Sequence, residues 1–133
     1  FIITIMDNHF EHCTAHVTSL EQDGFLIKIH AQVPSDHGVS GRELLSRVDQ
    51  ISGHLRRVKC CDSINRGQLA FARIEDNFHR VRALGDDVEG RVAVRFIDYG
   101  REDVLLLGDI IVVDPPLSDV LTTVRPLAEE FYL

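Results

Sequence analysis

The stretch from Val92 to Gly100 constrains the fold of this chain more than any other. Apolar residues alternate with other residues from Val92 to Phe96, which is typical of a strand with one buried face. The strand then runs into Asp98-Tyr99-Gly100, a turn signal. Phe96 and Tyr99 can form two walls of a small pocket beside the Asp98 carboxylate. Because such a pocket suits a cationic side chain, the stretch predicts a binding module rather than an enzyme.

The composition is that of an ordinary globular domain with an acidic balance. The chain has 133 residues, enough for one domain or a compact pair of small sub-barrels, and a formal net charge of -7. The charge argues against a binder of phosphate backbones and favours a basic partner, such as an arginine-rich peptide. No apolar run approaches the roughly 20 residues of a membrane span, so we expect no membrane contact. The odd number of cysteines, three, fits reduced thiols in a cytosolic or nuclear compartment.

The amino-terminal part predicts strands followed by a helix. Residues 2–6 predict a strand, and the tight-turn signal Asp23-Gly24 joins the runs 14–20 and 25–31 into a hairpin. Ser40 is a candidate N-cap with Glu43 three residues later, the capping-box pattern. One apolar stripe then recurs at spacings of three and four: Leu44, Leu45, Val48, Ile51, Leu55 and Val58. We expect this stripe to pack between two layers of the protein.

The middle of the chain predicts a small barrel. Four short strands, joined by tight turns, are expected at 67–74, 78–84, 91–97 and 102–107. Residues 109–113 predict either a helical turn or a last strand. The amino-terminal strands and the helix cannot complete this barrel, so they must form a second layer.

Two segments of the predicted barrel resemble a Tudor domain: Glu75 to Arg82, and Val92 to Gly100 with its Phe-Ile-Asp-Tyr-Gly core. The flanking hairpin, long helix and proline-containing closing stretch, which ends in Leu127 to Leu133, resemble the extended Tudor domain. In that family an SH3-like Tudor barrel is joined by a helix to an OB-like, staphylococcal-nuclease-like half. That half is built from segments on both sides of the core. The resemblance therefore implies a mostly β chain with one linking helix.

The resemblance also implies the domain organisation, with residues 1–133 forming one extended Tudor domain. Residues 1–39 would begin the OB-like half, 40–60 form the linking helix, 65–113 the Tudor barrel core and 114–133 the closing part of the OB-like half. The family's closing segment usually continues further, so we expect residues beyond 133 to complete that half.

The family's activity is the recognition of arginine, often symmetrically dimethylated, in the tails of Piwi/Argonaute-class proteins. Its peptide lies in the cleft between the two halves, in a cage of four aromatic residues, and an Asn after the Tyr-Gly pair bonds the guanidinium. The resemblance thus implies a non-catalytic, cofactor-free interaction module in cytoplasmic, perinuclear germ granules (nuage). Other Tudor or germ-granule proteins are further expected partners.

This chain carries an incomplete version of that cage. Phe96 and Tyr99 match two cage positions, whereas His79 stands where the family usually has Tyr. Phe78 stands where the family usually has Trp. The remaining position falls near residues 73 and 74, which are Arg and Ile. Each cation–π contact contributes about 0.5–2 kcal/mol, so the missing rings reduce the selectivity for a methylated guanidinium.

Where the family has an Asn after the Tyr-Gly pair, this chain has Arg101. Its positive charge would repel a guanidinium unless a neighbouring carboxylate neutralises it. The predicted peptide-binding residues are Phe96, Tyr99, Asp98, Phe78, His79, Arg101, Glu102 and Asp103. We expect this site to bind unmethylated arginine or to be insensitive to methylation. Two alternatives remain: a structural or dimerising module with a vestigial pocket, and a reader of symmetric dimethylarginine.

Metal chemistry has little support in the sequence. His9, His12, Cys13 and His16 could share one face of a helix and bind zinc, but the predicted strand scatters them, and no second ligand pair supports a site. Nuclease activity would need clustered carboxylates, and the acidic residues of the amino-terminal strands lie mostly at turns. We therefore predict neither a metal site nor catalysis.

RNA binding has only a modest basis. OB folds bind single strands with aromatic residues and a basic groove. The chain has seven Phe, two Tyr and no Trp. The basic run of Arg56, Arg57, Lys59 and Arg66 is more simply a solvated helix end. We predict that nucleic acid is not the partner.

Overall fold

The computed structural model describes residues 2–6, 12–32 and 37–132, which form two antiparallel β-sheets and one long helix. The strands are β1 (Ile2–Met6), β2 (His12–Asp23), β3 (Leu26–Gln32), β4 (Leu69–Ile74), β5 (Asn77–Ala83), β6 (Arg91–Phe96), β7 (Glu102–Leu106), β8 (Ile110–Ile111) and β9 (Ala128–Tyr132). The helices are α1 (His37–Leu55), α2 (Asp119–Thr123) and a 3-10 turn (Leu107–Asp109). The mostly β architecture with a linking helix is confirmed. In this described part of the chain, no helix is long and apolar enough to span a membrane.

The first sheet has the strand order β1-β2-β3-β9. The predicted hairpin is β2–β3, and a register shift between Val17 and Ser19 interrupts its pairing. Strand β9 comes from the end of the chain and pairs with β3, so that Ala31 lies opposite Glu129. This half is therefore built from both sides of the barrel sequence, as the OB-like half of an extended Tudor domain requires.

Helix α1 begins three residues before the expected cap at Ser40 and ends five residues before position 60. Its last turn tightens to i→i+3 bonds, because Arg57 N donates to His54 O at 3.0 Å and Val58 N to Leu55 O at 3.2 Å. The expected stripe packs inward except at Leu45, which is 69% exposed. Residues 44, 48, 51 and 55 share one helical face, and position 45 lies about 100° around the axis from position 44.

The second sheet has the order β7-β6-β5-β4-β8 and is curled around its own apolar core. Alternation along the strands assigns each side chain to the inside or the outside of the curl. The inner core consists of Ile64, Ala70, Ala72, Val81, Ala83, Val92, Val94, Phe96 and Ile110. Residues 109–113 supply both structures that their sequence allowed, the end of the 3-10 turn and then β8.

The outer face of the barrel packs against the helices through a second core. Phe71 of β4 and Phe78 of β5 point outward, and both are buried. They meet buried residues of α1, α2 and the approach to β9: Leu44, Leu55, Val120, Leu121, Val124 and Leu127. Residues 117–124 thus contain a short helix whose apolar side covers the barrel.

A buried ion pair crosses this outer core. Arg80 of β5 is 1% exposed and Asp98 of the turn after β6 is 5% exposed. Arg80 Nε donates to Asp98 Oδ2 at 3.0 Å, and Arg80 Nη2 donates to Asp98 Oδ1 at 2.5 Å. Leu127 N also donates to Asp98 Oδ1, at 3.1 Å. The guanidinium further donates to the backbone carbonyls of Val120, Val124 and Arg125. One cation therefore holds the barrel to the chain that leads into β9.

The turn after β6 also binds the OB-like half through its backbone. Gln32 Nε2 donates to Asp98 O at 2.6 Å, and Ala128 N donates to Ile97 O at 3.4 Å. Gly100 adopts a φ of +80°, which favours glycine, and a Cβ at this position would lie 2.1 Å from His30 Cγ. The turn can approach β3 this closely only because residue 100 has no side chain.

We expect Arg80→Met and Asp98→Asn each to lower the free energy of unfolding by about 3–5 kcal/mol, because removal of one partner leaves a buried charge and its bonded groups unpaired. Urea unfolding followed by circular dichroism measures the change. The matched control is the exposed pair of Arg95 and Glu102 on the same sheet, where Glu102→Gln should cost about 0–1 kcal/mol. Equal and small losses of unfolding free energy at the buried and the exposed pair would contradict the role assigned to Asp98.

Candidate functional site

A small pocket opens where the ends of β4, β5 and β6 meet strand β2 of the OB-like half. Its volume is about 210 Å³. Its lining residues are Thr18, Ile74, His79, Phe96, Tyr99 and Arg101. The strand–turn motif that predicted a pocket therefore does border one.

Three rings form the aromatic part of the pocket. The centroids of His79 and Phe96 lie 6.0 Å apart with the planes at 76°, and those of His79 and Tyr99 lie 5.9 Å apart at 64°. Tyr99 is 41% exposed, whereas Phe96 is 2% exposed and belongs to the inner core. The His79 and Tyr99 rings thus supply the accessible part of the aromatic surface, and Phe96 forms the floor.

Arg101 lies over that floor. Its Cζ atom is 5.1 Å from the centroid of the Phe96 ring, a cation–π distance. The Arg101 guanidinium therefore covers a face of the Phe96 ring at the pocket.

The structure places the three expected guanidinium partners outside the lining of this pocket. Asp98 is turned into the buried pair with Arg80. Glu102 bonds Arg95, which lies directly opposite it on the neighbouring strand. Asp103 Oδ1 accepts from the backbone N of Val104 at 2.8 Å. None of the three carboxylates is therefore paired with Arg101, the charged residue that lines the pocket.

Phe78 is also placed away from this pocket, in the outer core with α1. It precedes His79 by one position, and successive side chains of a strand point to opposite faces. The fourth wall is Ile74, one of the two residues at the non-aromatic cage position; the other, Arg73, is bonded to Asp76. The pocket therefore contains an aliphatic wall where a full cage has a ring.

Thr18 is a pocket residue that the sequence did not indicate. Its hydroxyl contacts Tyr99 O and donates to His30 O at 3.1 Å, which ties β2 to the turn and to β3. A lone Thr in an alternating strand carries no signal of such a contact, because it depends on how the two halves dock.

The His79 imidazole is uncharged at neutral pH. Burial lowers its pKa from the ordinary value of 6.5, the Asp98 carboxylate partly opposes this, and the Arg101 guanidinium lowers it further. A neutral ring beside Tyr99 and Phe96 can act as a third aromatic wall for a cation.

Within the residues that the structure describes, no three His, Cys, Asp or Glu side chains are grouped to hold a metal ion. Of the candidate zinc ligands, His9 and the side chains of His12 and Cys13 lie outside what is described, and His16 is exposed on β2.

The comparisons with known proteins relate this chain to solved structures. No protein-family model matches the sequence, and a search of curated proteins found no match. The extended Tudor domain of Drosophila melanogaster Tudor-SN is 18% identical with a TM-score of 0.68, over 98% of this chain and 54% of the other. The human TDRD1 extended Tudor domain, solved with a symmetrically dimethylated peptide, is 19% identical with a TM-score of 0.68, over 87% of this chain and 54% of the other.

A third similar structure is the Drosophila melanogaster Papi extended Tudor domain in complex with an N-terminal Piwi peptide. It is 18% identical with a TM-score of 0.66, over 90% of this chain and 58% of the other. The present chain thus spans about half the length of the solved chains that it matches. At TM-scores of 0.66 to 0.68 over 87% to 98% of its length, the chain has the fold of the extended Tudor domain.

Proposed function

We propose that this chain is a non-catalytic module that binds an arginine-containing segment of a Piwi/Argonaute-class partner, and that methylation of the arginine changes its affinity little. The observation that carries the proposal is the position of Arg101, whose guanidinium lies 5.1 Å from the Phe96 centroid. This contact supports the proposal because the floor ring of the pocket already holds the chemical group that the proposed ligand would bring.

The lining supports weak sensitivity to methylation. Methyl groups on a guanidinium remove hydrogen-bond donors and add apolar surface, so their recognition depends on surrounding rings. Here Ile74 replaces one ring, His79 replaces another, and the floor ring is already covered by Arg101. The binding free energy that methylation could add is therefore small.

The solved relatives support the class of partner. The Papi domain was solved with a Piwi peptide, and a Tudor structure was solved with Aubergine. The net charge of -7 suits a basic tail. We extend the proposal to the setting of such partners, the perinuclear germ granule.

A second candidate function is a structural module whose pocket is vestigial. The same contact of Arg101 with Phe96 favours it, because an internal guanidinium can close the pocket permanently. The two functions differ in whether Arg101 can be displaced by a peptide.

We expect calorimetry to give affinities within about threefold for matched arginine peptides, unmethylated and symmetrically dimethylated. Tyr99→Ala should weaken both by roughly two- to thirtyfold, the loss of one cation–π wall. Tyr99 is preferred to Phe96 for this test because it is exposed and not part of the inner core. Exposed Val88 provides the control, Val88→Ala, which should change nothing. Dimethylated peptide binding more than tenfold tighter would contradict the proposal, and no binding of either would favour the vestigial pocket.

We expect Arg101→Asn to tighten binding of the unmethylated peptide by roughly two- to thirtyfold, because the peptide no longer displaces an internal cation from Phe96. The control Arg91→Asn removes the same charge from an exposed position at the start of β6. Weaker binding in Arg101→Asn alone would mean that Arg101 is itself a ligand contact.

We expect the affinity for the arginine peptide to be constant between pH 8 and pH 7 and to fall at lower pH. The pKa of His79 is lowered from 6.5, so the imidazole is mostly neutral at pH 7 and becomes half-protonated only below pH 6.5, where it adds a positive charge beside the bound cation. His79→Gln should remove this dependence, and His54→Gln on the exposed end of α1 should retain it. A fall in affinity that persists in His79→Gln would assign the titration to another group.

A further inference from the structure

A second pocket lies directly beside the first. It has a volume of about 290 Å³ and lies between α1 and the start of β5. His79 and Tyr99 line both pockets and so form the partition between them. The other lining residues are Gln32, Gly41, Leu44, Leu45, Val48, Asp49, Asn77, Phe78, Arg80, Asp98 and Leu127.

The walls of this second pocket are mainly aliphatic and aromatic. Leu44, Phe78 and Leu127 are buried parts of the outer core, while Leu45 stands 69% exposed among the lining residues. Such walls suit the methylene stem of a long side chain, which gains by leaving water while its head remains polar.

One lining residue provides a free negative charge. Asp49 is exposed on α1, and among the described residues its carboxylate has no hydrogen-bond or ion-pair partner. The other acidic groups nearby are neutralised, since Glu43 pairs with Arg47 and Asp98 with Arg80. The second pocket therefore combines apolar walls with the unpaired carboxylate that the first pocket lacks.

We propose that this second pocket binds another arginine or lysine of the same peptide, with its stem against Leu44, Val48 and Phe78 and its charged head at Asp49. The inference rests on the proposed function, because the two pockets share a partition and would read one continuous segment. In an extended peptide, side chains two positions apart point the same way and are separated by about 7 Å. Two nearby basic residues can thus enter neighbouring pockets, and the attraction of the second to Asp49 offsets the repulsion that Arg101 exerts on the first.

The test is calorimetry with four unmethylated peptides of equal length. The peptides differ only at two positions that lie two residues apart. At these positions they carry arginine and arginine, arginine and leucine, leucine and arginine, or leucine and leucine. We expect the two-arginine peptide to bind tightest. Asp49→Asn should weaken it by roughly two- to fivefold, Asp49→Lys should weaken it more, and the effect should shrink in high salt.

The matched control is Asp109→Asn, which removes the same charge from an exposed position of the 3-10 turn outside the pocket lining and should leave the affinity unchanged. Equal binding when leucine replaces the second arginine, with no effect of Asp49→Asn, would overturn the inference and assign the pocket to an apolar residue. If Tyr99→Ala weakens binding while Asp49→Asn does not, the proposed function stands and this inference fails. If none of the peptides binds, both fail.

Discussion

The buried ion pair of Arg80 and Asp98 is the interaction on which the rest of the structure depends. Each group is a charge removed from water, and such a charge is tolerated only when its hydrogen-bonding capacity is used. Here the guanidinium is shared between a carboxylate and three carbonyls around α2, and the carboxylate also accepts from Leu127 N. The barrel, the short helix and the entry to β9 are thereby joined at one point.

This arrangement changes what the Phe-Ile-Asp-Tyr-Gly turn does. Its Asp side chain and three of its backbone positions serve the docking of the OB-like half, through Leu127 N, Gln32, Ala128 and Thr18. Its Gly allows the approach of His30. Only Phe96 and Tyr99 are left to face the pocket. In the described part of the chain, no carboxylate lines this pocket, and Arg101, which is paired with none of the three expected acids, lies over the Phe96 ring.

The sequence predicted those parts of the site that follow from local alternation. Phe96 and Tyr99 were expected together because a strand end and a tight turn bring them within reach of one another, whereas His79 was expected only from the resemblance to Tudor domains. Phe78 was expected in the same pocket as His79, but it lies on the opposite face of β5 and lines the second pocket beside α1, because the side of a strand that faces a pocket depends on which face the helix covers. The helix was predicted over residues 40–60, and the structure has it at His37–Leu55. The capping box at Ser40 and Glu43 is a local pattern, and it did not mark the residue at which the helix begins.

By itself the sequence determined the strands, the small barrel and the linking helix, because periods of two and of three to four in its apolar residues, with glycine and proline breaks, permit few ways to bury them. The OB-like half with its closing segment followed from the resemblance to extended Tudor domains. It also determined which residue types are available for recognition. Only the tertiary structure decided their partners. Whether Asp98 meets a ligand or Arg80, whether Thr18 borders a pocket, and whether Asp49 stands free beside Phe78 depend on contacts between residues far apart in the chain. Those contacts are set by how the two sheets and the helix dock, which no local pattern encodes.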